Sequence, residues 1–259
     1  MEHRLFVKIV IPEEVVTLQN IKKWIDEIVL FSHNQMRTKL TERKFNVNQL
    51  NRELEKLFSD EYVYFQLDLQ DDTSSFTLTK GVRQLPSILC MFSKSVYEKT
   101  SINEIANKFT DFFQVYGGIV GYAVSCEDQN WQNQTDIEAF IKANKPLEQV
   151  TFKPHFIRKD KEMIDTESFP GHNHFTKEGI WFGSSWRMWF GHKYFSFIPK
   201  EKILAFSDGY RNLELNDGSI SIILYENIWE YDNPLNREIQ WKFRKIVGID
   251  EVAHKASKK

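Results

Sequence analysis

Leu18, Ile21, Ile25 and Ile28 recur at the spacing that places side chains on one face of an α-helix, and Thr17 stands where a cap is needed. The seven residues LFVKIVI before them, Leu5–Ile11, read as a strand. Val47, Leu50, Leu54 and Leu57 predict a second helix. EYVYFQLDL then alternates: Val63, Phe65, Leu67 and Leu69 point one way and Tyr62, Tyr64, Gln66 and Asp68 the other, as in a half-buried strand. DDTSS turns the chain, FTLTKGV returns, and SILCMFS adds an apolar strand. In SINEIANKFTDFFQVYGG, Ser101 and Glu104 form a capping box, Ile102, Ile105, Phe109, Phe112 and Phe113 make one stripe, and Gly117 can end the helix. A strand over IVGYAVSC and a helix over Thr135 to Lys142 follow. This order predicts an α+β domain over residues 1–150, a mixed or antiparallel sheet with helices on one face, of elaborated ferredoxin-like type.

The periodicity fades between Lys153 and Gly179, where charges, two prolines and two glycines predict a connecting segment over residues 151–178. The next stretch differs in kind. GIWFGSSWRMWFGHKYFSFIP gathers Trp181, Phe182, Trp186, Trp189, Phe190, Tyr194, Phe195 and Phe197. KILAFS, YRNLEL and SISIILYE, separated by Asp208-Gly209 and Asp217-Gly218, predict a three-stranded meander, because Asp-Gly favours tight hairpin turns. A last helix takes Asn233 as cap and Pro234 as its first residue, lines one face with Ile239, Phe243 and Ile246, and stops at Gly248. Residues 179–250 thus read as a smaller β-meander plus helix domain, and residues 251–259 as a frayed tail.

Composition narrows the class. The 259 residues include 21 Phe, 14% aromatics and 27% charged side chains, ample for a packed core under an ordinary surface. A net charge of -2 provides no general attraction to nucleic acid or anionic lipid. The basic runs RTKLTERK, Arg37 to Lys44, and KFRK, Lys242 to Lys245, are read as solvated helix faces or inter-helix segments. The opening MEHRLFVKIVIPEE lacks the apolar run of a signal peptide, and no window approaches the roughly 18 apolar residues of a membrane helix. Cys90 and Cys126 fall in apolar strand-like runs and read as reduced core residues of a cytoplasmic protein, with a disulfide between them left open.

Three features could carry chemistry or binding. In PGHNHF, His172 and His174 would share one side of an extended strand, where both imidazoles could reach a metal; His155, His192, Asp165, Glu167 and Glu178 are near in sequence, but no second ligand motif accompanies them. Glu226, Glu230 and Asp232 lie beside Trp229 and Tyr231 and are read as strand-end charges, with Asp232 helping to cap the last helix. No phosphate loop, dinucleotide fingerprint or nucleophile elbow occurs, and YGGIVG opens a strand where the dinucleotide motif opens a helix. In SSWRMWF, a strand would turn Trp186, Met188 and Phe190 to one side and Arg187 and Trp189 to the other, one side core and the other open to a partner.

The aromatic block and LYENIWEYDNPLNREIQWKFRKIVGID after it resemble, over roughly the last third, bacterial immunity proteins of polymorphic toxin systems. The resemblance is one of texture and transfers no individual residue. It implies a cytoplasmic protein that binds a toxin and performs no chemistry. Taken with the missing motifs, the sequence reads as a non-catalytic protein-binding protein without cofactor, contacting a protein partner through Trp186, Arg187, Trp189 and His192. Its rival is a metal-dependent hydrolase or nuclease built on His172 and His174.

Overall fold

The computed structural model describes residues 3–38, 41–44, 46–59, 65–148 and 150–257. Tyr62, Val63, Tyr64, Lys39, Leu40 and the Leu57 side chain, to which the sequence assigns positions, lie outside the described residues. The strands are β1 (Leu5–Val10), β2 (Gln35–Thr38), β3 (Thr41–Lys44), β4 (Phe65–Gln70), β5 (Ser75–Lys80), β6 (Ser87–Phe92), β7 (Val120–Ser125), β8 (Phe152–Pro154), β9 (Glu162–Ile164), β10 (His174–Phe175), β11 (Trp181–Phe182), β12 (Arg187–Phe190), β13 (Arg211–Glu214) and β14 (Ile220–Ile223). The helices are α1 (Leu18–Ile28), α2 (Val47–Ser59), α3 (Lys94–Tyr97), α4 (Ile102–Val115), α5 (Cys126–Trp131), α6 (Ile137–Lys142), α7 (Lys200–Leu204), α8 (Pro234–Val247) and α9 (Ile249–Ser257).

The fold is α+β, as expected. Ten strands form one sheet in the order β13-β14-β12-β7-β1-β6-β5-β4-β2-β3, with antiparallel pairing throughout. The expected boundary near residue 150 leaves no break in it, since β12 pairs directly with β7, Trp189 opposite Gly121. β8 with β9 and β10 with β11 make two small hairpin sheets beside it.

Local signals place the helices. Thr17 caps α1 through the Asn20 N–H, and the capping box at Ser101 and Glu104 opens α4 with both of its hydrogen bonds made. α1 and α4 pack together on one face of the sheet, the Trp24 and Phe112 rings 5.6 Å apart, whereas α5 meets α8 through Asp128 and Arg237 at 2.7 Å. α8 covers the other face at the β12 end. Successive residues of β12 show this: Trp189 hydrogen-bonds to Thr110 of α4, whereas the Phe190 ring lies 6.2 Å from Phe243 of α8. β12 is therefore an interior strand with both faces covered, and all four of its residues are buried.

Several segments depart from the expected reading. KILAFS is not a strand: Pro199 precedes α7, a short helix that buries Ile203, so Asp208-Gly209 joins a helix to β13. Asp217-Gly218 does form the hairpin between β13 and β14, with Gly218 at φ 82°. Of the basic run, Arg37 lies in β2 and Arg43 and Lys44 in β3, at the end of the sheet and between α1 and α2, so it is an inter-helix segment and not a helix face. Val47 of α2 faces solvent while Leu50 and Leu54 are buried. Asn233 and Pro234 start α8 and Gly248 ends it, but its buried face is Asn236, Gln240, Phe243, Arg244 and Val247, leaving Ile246 exposed. The region read as a frayed tail is helical through α9. Cys90 lies in β6 and Cys126 opens α5, and both thiols are free.

Candidate functional site

Each residue of the PGHNHF segment has a specific partner. The Pro170 carbonyl accepts from Ser184 Oγ at 2.6 Å and from Arg244 Nη1 at 3.1 Å. Gly171 N donates to Gln132 Oε1 at 2.8 Å, and Asn173 N donates to Asn133 Oδ1 at 2.8 Å. Asn173 Oδ1 accepts from Trp181 Nε1 at 2.6 Å, and that indole stacks on Tyr122 of β7 with centroids 4.4 Å apart. The segment is thus docked between the first-half turn after α5 and the last helices. It is a built part of the core, in place of a surface connection.

His172 is 1% exposed. Its Nδ1 contacts the Phe169 carbonyl, which can only accept, so Nδ1 carries the proton and Nε2 the lone pair. That Nε2 lies 3.1 Å from His174 Nε2 and 3.2 Å from Asp250 Oδ1, while His174 Nε2 is 3.6 Å from the same carboxylate oxygen. These three atoms have the mutual spacing of metal ligands. The cation among them, however, belongs to the protein: the Arg244 guanidinium donates through Nη2 to His172 Nε2 and Asp250 Oδ1, through Nη1 to the His172 carbonyl at 2.9 Å, and through Nε to Asp250 Oδ2 at 3.3 Å. Burial alone would raise the Asp250 carboxyl, but the imidazole and guanidinium groups around it hold it well below the usual carboxylate range. Burial lowers the Arg244 pKa, an effect that Asp250 opposes.

A second set adjoins the first. Glu167, in the short 3-10 turn Thr166–Ser168, pairs with His254 of α9 at 3.2 Å, and the His254 ring lies 5.0 Å from that of His174. Glu167, His174 and His254 each offer a ligand atom within 4.8 Å of the others. Of the other ligands suggested by nearness in sequence, His155 is in the β8–β9 hairpin, Asp165 is bound to Lys153 at 2.7 Å, and His192 bonds to the Asp217 carbonyl at 2.8 Å.

No family model matches the chain, and no curated protein matches it. Among solved structures it is similar to the Pseudomonas aeruginosa T6SS protein PA0821, with a TM-score of 0.56 and 11% identity over 95% of this chain and 73% of that one. The likeness is one of fold.

The expected contact surface is corrected by the structure. Trp186, Arg187 and Trp189 are buried, with α4 against one face of β12 and α8 against the other. Arg187 Nη2 donates to Thr110 Oγ1 at 2.8 Å and to Asn107 Oδ1 at 3.0 Å, and Trp189 Nε1 donates to the same hydroxyl at 2.8 Å. Thr110 in turn donates to the Ala106 carbonyl, so one buried hydroxyl satisfies three neighbours. His192 alone of the four is exposed. Among the strand-end carboxylates, Glu226 and Glu230 are at the surface, and Asp232 binds Arg237 at 2.9 Å while Asn233 caps α8. Arg237 also reaches Asp128, a buried carboxylate that carried no signal in the sequence, at 2.7 Å; burial raises its pKa and Arg237 opposes that.

Among the described residues, the two most exposed large apolar side chains are neighbours at the tip of the β8–β9 hairpin. Phe156 and Ile157 are 74% and 73% exposed. His155 Nδ1 accepts from the backbone N–H groups of Ile157 at 3.1 Å and Arg158 at 3.2 Å, and its ring stacks on Phe156 with centroids 4.7 Å apart. The turn is held in shape while its two apolar side chains stand in water, flanked by Arg158, Lys159 and Lys161.

Proposed function

We propose that this chain is a non-catalytic, cytoplasmic protein-binding protein of immunity type, which neutralises a toxin by contacting it through the β8–β9 hairpin. The observation that carries this reading is the preorganised tip at Phe156 and Ile157. Exposed apolar side chains cost solubility, and a turn fixed by His155 lowers the ordering entropy lost on docking. Adjacent anchors of this kind within a basic rim fit an acidic partner surface with an apolar socket. The fold likeness to a T6SS protein supports a toxin-system setting. Among the described residues no helix is long and apolar enough to cross a membrane.

Recovery of partners from native cells tests the reading. The wild-type chain retains a specific protein, the double variant Phe156→Asp, Ile157→Asp with an unchanged melting temperature loses it, and co-expression of the wild-type chain relieves the growth arrest that protein causes. Equal recovery by the folded variant, or no relief of arrest, would overturn it.

A further inference from the structure

The tautomer chain that begins at Phe169 ends on His174 Nδ1. His172 Nε2 is a lone pair, because its Nδ1–H is held by the Phe169 carbonyl and Arg244 donates to Nε2. His174 Nε2 faces that lone pair at 3.1 Å and the Asp250 carboxylate at 3.6 Å. A proton on His174 Nε2 is the arrangement that avoids lone pairs facing one another. In that tautomer the His174 lone pair lies on Nδ1, and the hydrogen bond of this ring to His172 is made by Nε2. Beside this ring stand the Glu167 carboxylate and the His254 imidazole, 43% and 50% exposed and paired with one another at 3.2 Å.

We propose that Glu167, His174 and His254 form a site for a divalent transition cation of the Zn2+ class, a site independent of the hairpin surface. Two imidazoles and one carboxylate suit a cation of intermediate softness, and their half-exposed position leaves coordination sites for water. Asp250, facing the other nitrogen of His174, supplies the outer-sphere acceptor that orients metal-binding histidines. The inner set of His172, His174 and Asp250 does not compete, since Arg244 already occupies it as the cation. A metal in the outer set would tie α9 to the segment that carries Glu167 and His174.

The test uses the full chain without a histidine tag, stripped with chelator and titrated with ZnCl2 by calorimetry, with melting followed in parallel. The expected result is uptake of one Zn2+ per chain with a rise in melting temperature by linkage. His254→Ala and Glu167→Gln each weaken uptake by about tenfold or more, while leaving the metal-free melting temperature unchanged because both side chains are half exposed. No Zn2+ uptake by the wild-type chain, or uptake undiminished in both variants, overturns the site. Equal stabilisation by Mg2+ would also overturn it, since a hard cation answers to charge alone and not to imidazole.

Discussion

Arg244→Met removes the cation from the buried network while keeping a side chain of similar reach. Four acceptors lose a bond from Arg244: the His172 carbonyl at 2.9 Å, His172 Nε2, the Asp250 carboxylate, and the Pro170 carbonyl at 3.1 Å, which keeps another strong donor in Ser184 Oγ. A buried acceptor left unsatisfied costs about 1–3 kcal/mol. Breaking a buried ion pair from one side costs about 3–5 kcal/mol, and the two estimates overlap because they count some of the same groups. Arg244 is 1% exposed, so water cannot take over its bonds without opening the junction between α8, α9 and the 170–174 segment. A net loss of about 3–5 kcal/mol corresponds, at about 2–4 °C per kcal/mol for a chain of this size, to a melting temperature lower by roughly 6–20 °C. Urea unfolding followed by tryptophan fluorescence measures it. Asp250→Asn supplies the cycle: with the carboxylate already neutralised, Arg244→Met should cost less, with a coupling of about 1–3 kcal/mol. A loss below about 1 kcal/mol, or strict additivity in the double variant, would refute the claim that this cluster is a structural lock closed by Arg244.

Trp189→Ala should destabilise by about 3–5 kcal/mol as a buried aromatic truncation, whereas Trp189→Phe should fold and keep partner recovery unchanged; loss of recovery with the fold intact would return Trp189 to the surface. Gly191→Ala should cost at least about 1–3 kcal/mol, measured by denaturant midpoint, because a Cβ there would stand 1.9 Å from the Gly118 carbonyl oxygen, a backbone atom that cannot swing aside. Hydrogen bonds from the Ser101 side chain and then its backbone N–H hold the Glu104 carboxyl below its ordinary value of 4.5. The sign follows: the cap contribution is full above the unfolded value and is lost as pH falls through the lower folded one, so Glu104→Gln should flatten the acid limb of the stability profile and leave its neutral-to-alkaline part parallel to wild type.

What the sequence made legible was what a few neighbouring residues decide. The capping box at Ser101 and Glu104, the Thr17 and Asn233 caps and the Asp217-Gly218 hairpin are each complete within five residues, and each stands where the pattern put it. KILAFS shows the limit of the same logic, since a short apolar run is ambiguous in period and the preceding Pro199 decided for a helix. For α8 the error was in which residues count as core. Reading apolar residues as the buried stripe selected Ile239, which is partly buried, and Ile246, which is exposed, but the face that is buried carries Asn236, Gln240 and Arg244 at intervals of four; Asn236 bonds to the nearby Glu230 carbonyl, and Gln240 and Arg244 bond to distant parts of the chain. A polar stripe at helical spacing opposite an exposed isoleucine was the available signal, since Gln240 and Arg244 of that stripe donate to backbone carbonyls. The same partners explain PGHNHF. Its low periodicity suggested a connection because its stabilising contacts are hydrogen bonds to Gln132, Ser184 and Arg244, from 14 to 74 residues away, and no window of local sequence contains them. The two histidines are spaced for a shared ligand, as their separation implied, but the topology gives them different surroundings: His172 is turned inward onto Arg244, and the His174 ring stands beside Glu167 and His254, which lie on either side of it in the chain.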